Sequence, residues 1–181
     1  IFAWFVDNCV PGSYVEEAKS RGISVHDLLV EKSKDQEIGE HGLVALDWHN
    51  GNRSILADAR LSGLVVGQTL TTAPEDVYRA LLEATAFGCR VIIDNFEEHG
   101  IKVDEIVAAG GLLKNAYYMQ MLSNITRRPI SVSMAEQTGA LGSAVFAAVA
   151  AGVYPDVFAA ADAMSSVEKH AYEPDLEASA R

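Results

Sequence analysis

Glu105-Ile-Val-Ala-Ala-Gly-Gly-Leu-Leu-Lys-Asn-Ala-Tyr-Tyr-Met119 is the stretch whose reading decides the fold. Its apolar run, 106–109, has the form of a short buried strand. The run stops at Gly110-Gly111, and a second apolar-periodic segment begins just after Asn115. Strand, glycine pair and helix start form the layout by which α/β proteins hold nucleotides. Glycine lets the backbone lie flat against a ligand where a Cβ would clash. The first N–H groups of the following helix favour an acceptor or an anion. Asn115 is placed to cap that helix or to turn its amide toward a base or ribose. The same pattern also serves as a plain tight turn, so the rest of the chain has to decide between the two.

Working outward from this stretch, the upstream segment 74–99 predicts the longest helix. Pro74 suits the first helical position, Glu75 and Asp76 complement the dipole, and Gly100 supplies the stop. Val77, Leu81, Thr85, Gly88, Ile92 and Phe96 recur at three- and four-residue steps and predict one apolar face. Before it, 43–49 and 63–67 predict short strands separated by the turn-forming run Asn50-Gly51-Asn52-Arg53. An arginine in that setting is more often a surface ion-pair partner than a substrate contact. Earlier still, 1–9 fits a helix, Ser13 with Glu16 has the form of a capping box for a helix to about residue 20, and Ser24 caps a third, 25–33. Residues 33–41 are charged and predict a solvated loop.

Downstream, Tyr118, Met121, Leu122 and Ile125 predict the core face of a helix over 115–126. Residues 129–132 predict a strand. Thr138 is expected to cap a helix, 139–151, so rich in Gly, Ala, Val and Leu that burial on most sides follows. An amphipathic segment, 156–167, ends the pattern. Strands alternating with helices predict an α/β fold, a mixed or parallel sheet with helices on its faces.

Composition narrows the function. The chain has 181 residues, 49% of them hydrophobic, enough to bury a core and to form one domain. A net charge of −11, with no basic run, argues against nucleic acid or an anionic membrane as partner. Cys9 and Cys89 sit in apolar segments and are expected to be reduced core thiols. The five histidines show no metal-ligand spacing, so most are expected at the surface. No apolar stretch reaches membrane-spanning length, and a cytoplasmic address is the expectation. The uncapped opening Ile1-Phe-Ala-Trp-Phe-Val suggests a helix cut within a longer protein.

Four of these segments together resemble a known family. Gly63-Leu-Val-Val-Gly67, then seven residues after Gln68, then Asp76-Val-Tyr-Arg-Ala-Leu-Leu-Glu83, resembles the second signature of the FGGY carbohydrate kinases. Gln68 departs from the aliphatic residue usual there. Trp48-His-Asn-Gly-Asn-Arg53-Ser resembles the family's Gly-Glu-Arg-Thr-Pro loop. Ala109-Gly-Gly-Leu-Leu-Lys-Asn115 resembles its adenosine motif, and Glu136-Gln-Thr-Gly-Ala-Leu-Gly142-Ser-Ala its last helix start. Within the family, Leu46-Asp-Trp-His-Asn-Gly-Asn-Arg53, Ile1-Phe-Ala-Trp-Phe and Ala144-Val-Phe-Ala-Ala-Val-Ala-Ala151 are most similar to the members that act on L-ribulose.

The resemblance implies that 1–181 is a single partial domain, part of the C-terminal, nucleotide-binding half of an actin-like (ribonuclease H-like) ATPase fold, without its sugar-binding N-terminal domain. It implies ATP with Mg²⁺ as cofactors, the metal arriving with the nucleotide, and a pentulose as substrate of the full-length enzyme. Gly110, Gly111 and Asn115 would hold the adenosine. Ala3 falls where some relatives place a glutamine near the nucleotide. The catalytic aspartate that accepts the sugar proton, and the phosphate loops, belong upstream of Ile1, and neither Asp7 nor Asp47 fits that motif. Such a piece alone is expected to be inactive, and since relatives of this kind are often dimers, a homodimer is one expectation. Two alternatives stand beside this: xylulose or another pentulose as the sugar, or a non-catalytic actin-like interaction module.

Overall fold

In the computed structural model, which describes residues 1–180, the chain divides into two compact units, each with its own core. Ile1–Lys102, with the residues from Leu176 onward, forms one, and Val103–Asp175 forms the other.

The first unit is built around its longest helix. Helices α1 (Phe2–Cys9), α2 (Gly12–Arg21) and α3 (Val25–Ser33) precede strands β1 (Val44–Leu46) and β2 (Leu64–Val66), which pair antiparallel with Val44 opposite Val66. Helix α4 (Pro74–Glu98) follows and packs against α1, α3 and β1. Pro74 opens it, and the Asp76 carboxylate accepts from the Ala73 N–H at 2.8 Å, as the sequence predicts for this terminus. The core gathers Phe5, Leu28, Leu29, Leu43, Tyr78, Leu81 and Leu82. Seven consecutive α4 residues, 78–84, are buried, so this half of the helix is covered on every side. The single stripe expected from 77 to 96 is thereby corrected: Leu81 is buried but Phe96 is 45% exposed, because the cover is complete over 78–84 and thins toward the C-terminal turns, where Ile93 is buried.

That full cover explains a buried polar network. Arg79 and Glu83 are 3% and 4% exposed. Arg79 donates through Nε to Glu83 Oε1 at 2.9 Å and through Nη1 to the Ser33 carbonyl at 2.7 Å. The Leu43 N–H donates to His41 Nδ1 at 3.0 Å, which leaves the proton on Nε2, 3.1 Å from Glu83 Oε2. The Gly39 N–H also donates to this carboxylate, at 3.2 Å. Loop 34–43 is thus anchored to α4 by one ion pair and its satellites, the arrangement that makes buried charge tolerable.

The second unit carries the stretch from which the sequence was read. β3 (Ile106–Ala108) runs parallel to β4 (Ile130–Ser133), with Ile106 opposite Ile130, and α5 (Ala116–Thr126) makes the crossover between them. β5 (Val167–Tyr172) adds antiparallel to the other side of β4, with an irregular register between Ile130 and Val132. The order β3-β4-β5 makes a mixed sheet, in keeping with the expected α/β class. Helix α5 buries Tyr118, Met119, Met121, Leu122 and Ile125, which contains the expected face. Helices α6 (Thr138–Ala150) and α7 (Val157–Met164) pack on each other.

Several local expectations are corrected. α2 starts two residues early, at Gly12, with Pro11 before it and no side-chain cap, so Ser13 lies inside the first turn. Thr138 likewise opens α6 rather than capping it. Of α6 only Val145 is buried, and Phe146 is 63% exposed, because α7 covers only part of it. β3 lies at a sheet edge with Val107 56% exposed rather than as a buried strand. The segment 156–167 splits into α7 and the start of β5. Cys9 is exposed and Cys89 half-buried, both free thiols.

Candidate functional site

The glycine pair sits where the two parallel strands end. Because β3 and β4 run the same way, the loops that leave them, 109–115 and 134–137, emerge at one edge of the sheet and lead into α5 and α6. The carboxyl edge of parallel strands is where open α/β sheets place ligands. Gly110 has φ 91° and ψ −159°, a conformation essentially reserved for glycine. Gly111 opens a 3₁₀ turn, Gly111–Lys114, tied by hydrogen bonds from Leu113 N–H to Gly110 O (3.3 Å) and Asn115 N–H to Leu112 O (3.0 Å). Asn115 then caps α5, its Oδ1 accepting from the Tyr118 N–H at 3.0 Å.

The three candidate residues are therefore together on one loop, in unequal roles. A Cβ on Gly110 would meet nothing within 4 Å, but the backbone angle demands glycine. Gly111 has neither a positive φ nor a neighbour within 4 Å of an added Cβ, so nothing in the described chain requires glycine there. Asn115 performs the capping alternative with its oxygen, and among the described residues its NH₂ end makes no hydrogen bond. Gly139 and Gly142, in the first turns of α6, also face open space.

In the first unit, the signature glycines have packing causes. A Cβ on Gly63 would fall within 2.3 Å of the His49 ring, which also stacks with Trp4, at 5.4 Å between centroids and 53° between planes. Gly67, at φ 98°, lies against the Gly42 carbonyl, 2.4 Å from an added Cβ. The signature's Arg79 and Glu83 are the buried pair described above. Ala3 lies exposed on α1 and Asp7 near the end of the same helix.

The run 47–54 lines an open cleft of about 390 Å³, completed by Thr85, Gly88, Cys89 and Ile92 of α4. Arg53 is exposed and forms no ion pair among the described residues, which corrects the expectation of a surface ion-pair partner. Burial raises the Asp47 carboxyl above its ordinary value, and burial likewise raises the Cys89 thiol. Sequence reasoning missed this cleft, and also His41. The turn signal at 50–53 was visible, but its approach to α4 is a long-range fact.

Comparisons with known proteins agree with this layout. Residues 1–151 match the profile of the FGGY family of carbohydrate kinases, C-terminal domain. The chain is 53% identical over 174 residues to a ribulokinase of Mycolicibacterium smegmatis, covering 96% of this chain and 31% of that protein. It is 50% identical over 179 residues to a ribulokinase of Geobacillus thermodenitrificans, covering 96% and 32%. Among solved structures, gluconate kinase from Lactobacillus acidophilus superposes with a TM-score of 0.75 at 25% identity, over 87% of this chain and 31% of that one. Xylulose kinase from Rhodospirillum rubrum superposes with a TM-score of 0.77 at 22% identity, over 98% and 33%. The chain thus spans about a third of the length of the relatives it matches. With the signature glycines packed as described, the glycine pair at the edge of the parallel strands, and the profile matched over most of its length, the chain belongs to the FGGY family of carbohydrate kinases.

Proposed function

We propose that this chain is the nucleotide-binding C-terminal portion of an ATP-dependent kinase that phosphorylates L-ribulose at O5, a step of L-arabinose breakdown in the cytoplasm. The sugar assignment rests on the ribulokinases it is similar to, at 50–53% identity. The observation that carries the nucleotide site is the place of Gly110–Gly111, at the carboxyl edge of the parallel strands, where the open Cβ position and unstrained backbone of Gly111 leave the bare backbone accessible to a ligand.

Here the flat strip Gly110–Gly111 would lie along the adenosine, with the Asn115 NH₂ end reaching a base or ribose acceptor. The same residues hold no charge, which suits the nucleoside end rather than the phosphates. Mg²⁺ would enter with the nucleotide and offset phosphate charge during transfer. The proton of the attacking hydroxyl would go to an aspartate outside residues 1–181.

Isothermal titration with ADP and ATP tests the site. Wild type should bind saturably, and Gly111→Trp should lose binding while its melting temperature stays within about 1–2 °C, since surface changes away from special features cost within about 0.5 kcal/mol. Retained binding by a folded Gly111→Trp variant would remove the site. In the full-length enzyme, a higher kcat/KM for L-ribulose than for xylulose is expected. No phosphoryl transfer to any pentulose would favour a non-catalytic actin-like module.

A further inference from the structure

We propose that the cavity lined by α1, the turn 68–73 and the start of α4 receives a second copy of this chain, whose Leu70 fills it while Leu70 of the first copy fills the matching cavity in return. The cavity holds about 380 Å³, and Trp4, Phe5, Val65, Val77 and Leu81 make its apolar wall. Leu70 stands on the same turn, between the lining residues Thr69 and Thr72, and is 106% exposed. Recess and protrusion both belong to the first unit, Ile1–Lys102.

The turn is tied to itself, which is what makes Leu70 a usable protrusion. The Thr69 N–H donates to Thr72 Oγ1 at 2.9 Å, the Thr71 N–H to Thr69 Oγ1 at 3.2 Å, and the Thr72 N–H to the Thr69 carbonyl at 3.2 Å. Gly67 packed on the Gly42 carbonyl holds one end, and Pro74 at the head of α4 holds the other. A segment ordered beforehand loses little freedom on docking. A two-fold interface must be self-complementary, the same patch supplying both partners of each contact. Here one patch carries recess and protrusion side by side. Charge selects the occupant. Among the described residues the cavity lining has no Asp, Glu, Lys or Arg, in a chain of net charge −11. Two such copies repel each other, so contact is least opposed where the surface is uncharged. The uncharged lining also offers no counter-charge to an ionic ligand. The Thr69 and Thr72 hydroxyls and the Gln68 amide give the apolar anchor a polar surround, the usual composition of a protein–protein contact.

Cys9, exposed and part of the cavity lining, gives a direct test. In the full-length protein, Leu70→Cys oxidised mildly with copper phenanthroline should form a disulfide between the introduced thiol and Cys9 of the other copy. The product should run at dimer mass on a non-reducing gel and be lost in Cys9→Ser. Mixing isotopically light and heavy copies lets peptide mass spectrometry tell a disulfide between copies from one within a copy. Sedimentation velocity over a dilution series gives the dimer Kd. Leu70→Asp should raise that Kd about 30-fold or more, the loss typical of a central anchor, with its circular dichroism unchanged. A wild-type monomer across the series, a dimer that Leu70→Asp leaves intact, or the absence of a disulfide to Cys9 of another copy each overturns the proposal. A monomer whose introduced thiol resists N-ethylmaleimide overturns it too, and assigns this face to the remainder of the full-length chain. None of these readouts depends on nucleotide or sugar, so the kinase reading stands or falls separately.

Discussion

At the scale of single residues, burial sets both the chemistry and the cost of change. Tyr78 is 3% exposed among Phe2, Phe5 and His26, and its phenol is pushed up to about 12, first by burial and then by the charge of Asp27. A raised folded-state pKa favours the protonated form, so this contribution is complete below the unfolded value near 10 and lost as pH rises from about 10 toward 12. Stability measured by urea unfolding should fall across that window, by on the order of 2 kcal/mol, and the fall should be smaller in Tyr78→Phe. Glu83→Ala leaves the Arg79 guanidinium buried without its carboxylate and should cost on the order of 3–5 kcal/mol. In urea unfolding, that shows as a lower midpoint with an unchanged slope. The i,i+4 spacing of Arg79 and Glu83 was readable in the sequence. The third member, His41, comes from a loop 42 residues away, and no local pattern announces it.

At the scale of elements, what was legible is what local chemistry dictates. Ser24 caps α3 through the Asp27 N–H at 3.0 Å, and Pro74 and Asn115 open α4 and α5, because those residue types satisfy or tolerate bare helix ends. β5 was not legible: Val-Glu-Lys-His-Ala-Tyr carries few apolar residues, and His170 takes a positive φ of 51° within it. α6 was misjudged for a related reason, since composition describes a face and not the neighbour that covers it. Within the candidate site, Gly110 and Asn115 had readable conformational roles, whereas the openness around Gly111 is a property of the surroundings. The signature segment offers a test at this scale. Gly63→Ala should cost roughly 1–3 kcal/mol through overpacking against His49. In a His49→Ala background the same change should cost far less, and equal losses in both backgrounds would exclude the contact as the cause.

At the scale of the whole molecule, charge and fold act separately. Twenty-five acidic residues against fourteen basic ones leave a net charge of −11, which repels itself at low ionic strength. The melting temperature should therefore rise as NaCl is brought to physiological strength, where the screening length falls to about 8 Å; a fall would mean that the surface ion pairs outweigh the repulsion. The class of fold followed from the alternation of strands and helices, and the mixed sheet β3-β4-β5 agrees with it. The division into Ile1–Lys102 and Val103–Asp175 has no such local sign, because it is a property of which segments pack together.

The glycines at 63 and 67 carry one more consequence. Each is matched to a partner in an earlier segment, His49 for the first and the Gly42 carbonyl for the second. The two should consequently vary differently: position 63 is coupled to the side chain at 49, so lineages that gain a side chain at 63 should carry a smaller residue at 49, whereas the partner of 67 is a backbone carbonyl that no substitution at 42 removes, so 67 should stay glycine whatever stands at 42.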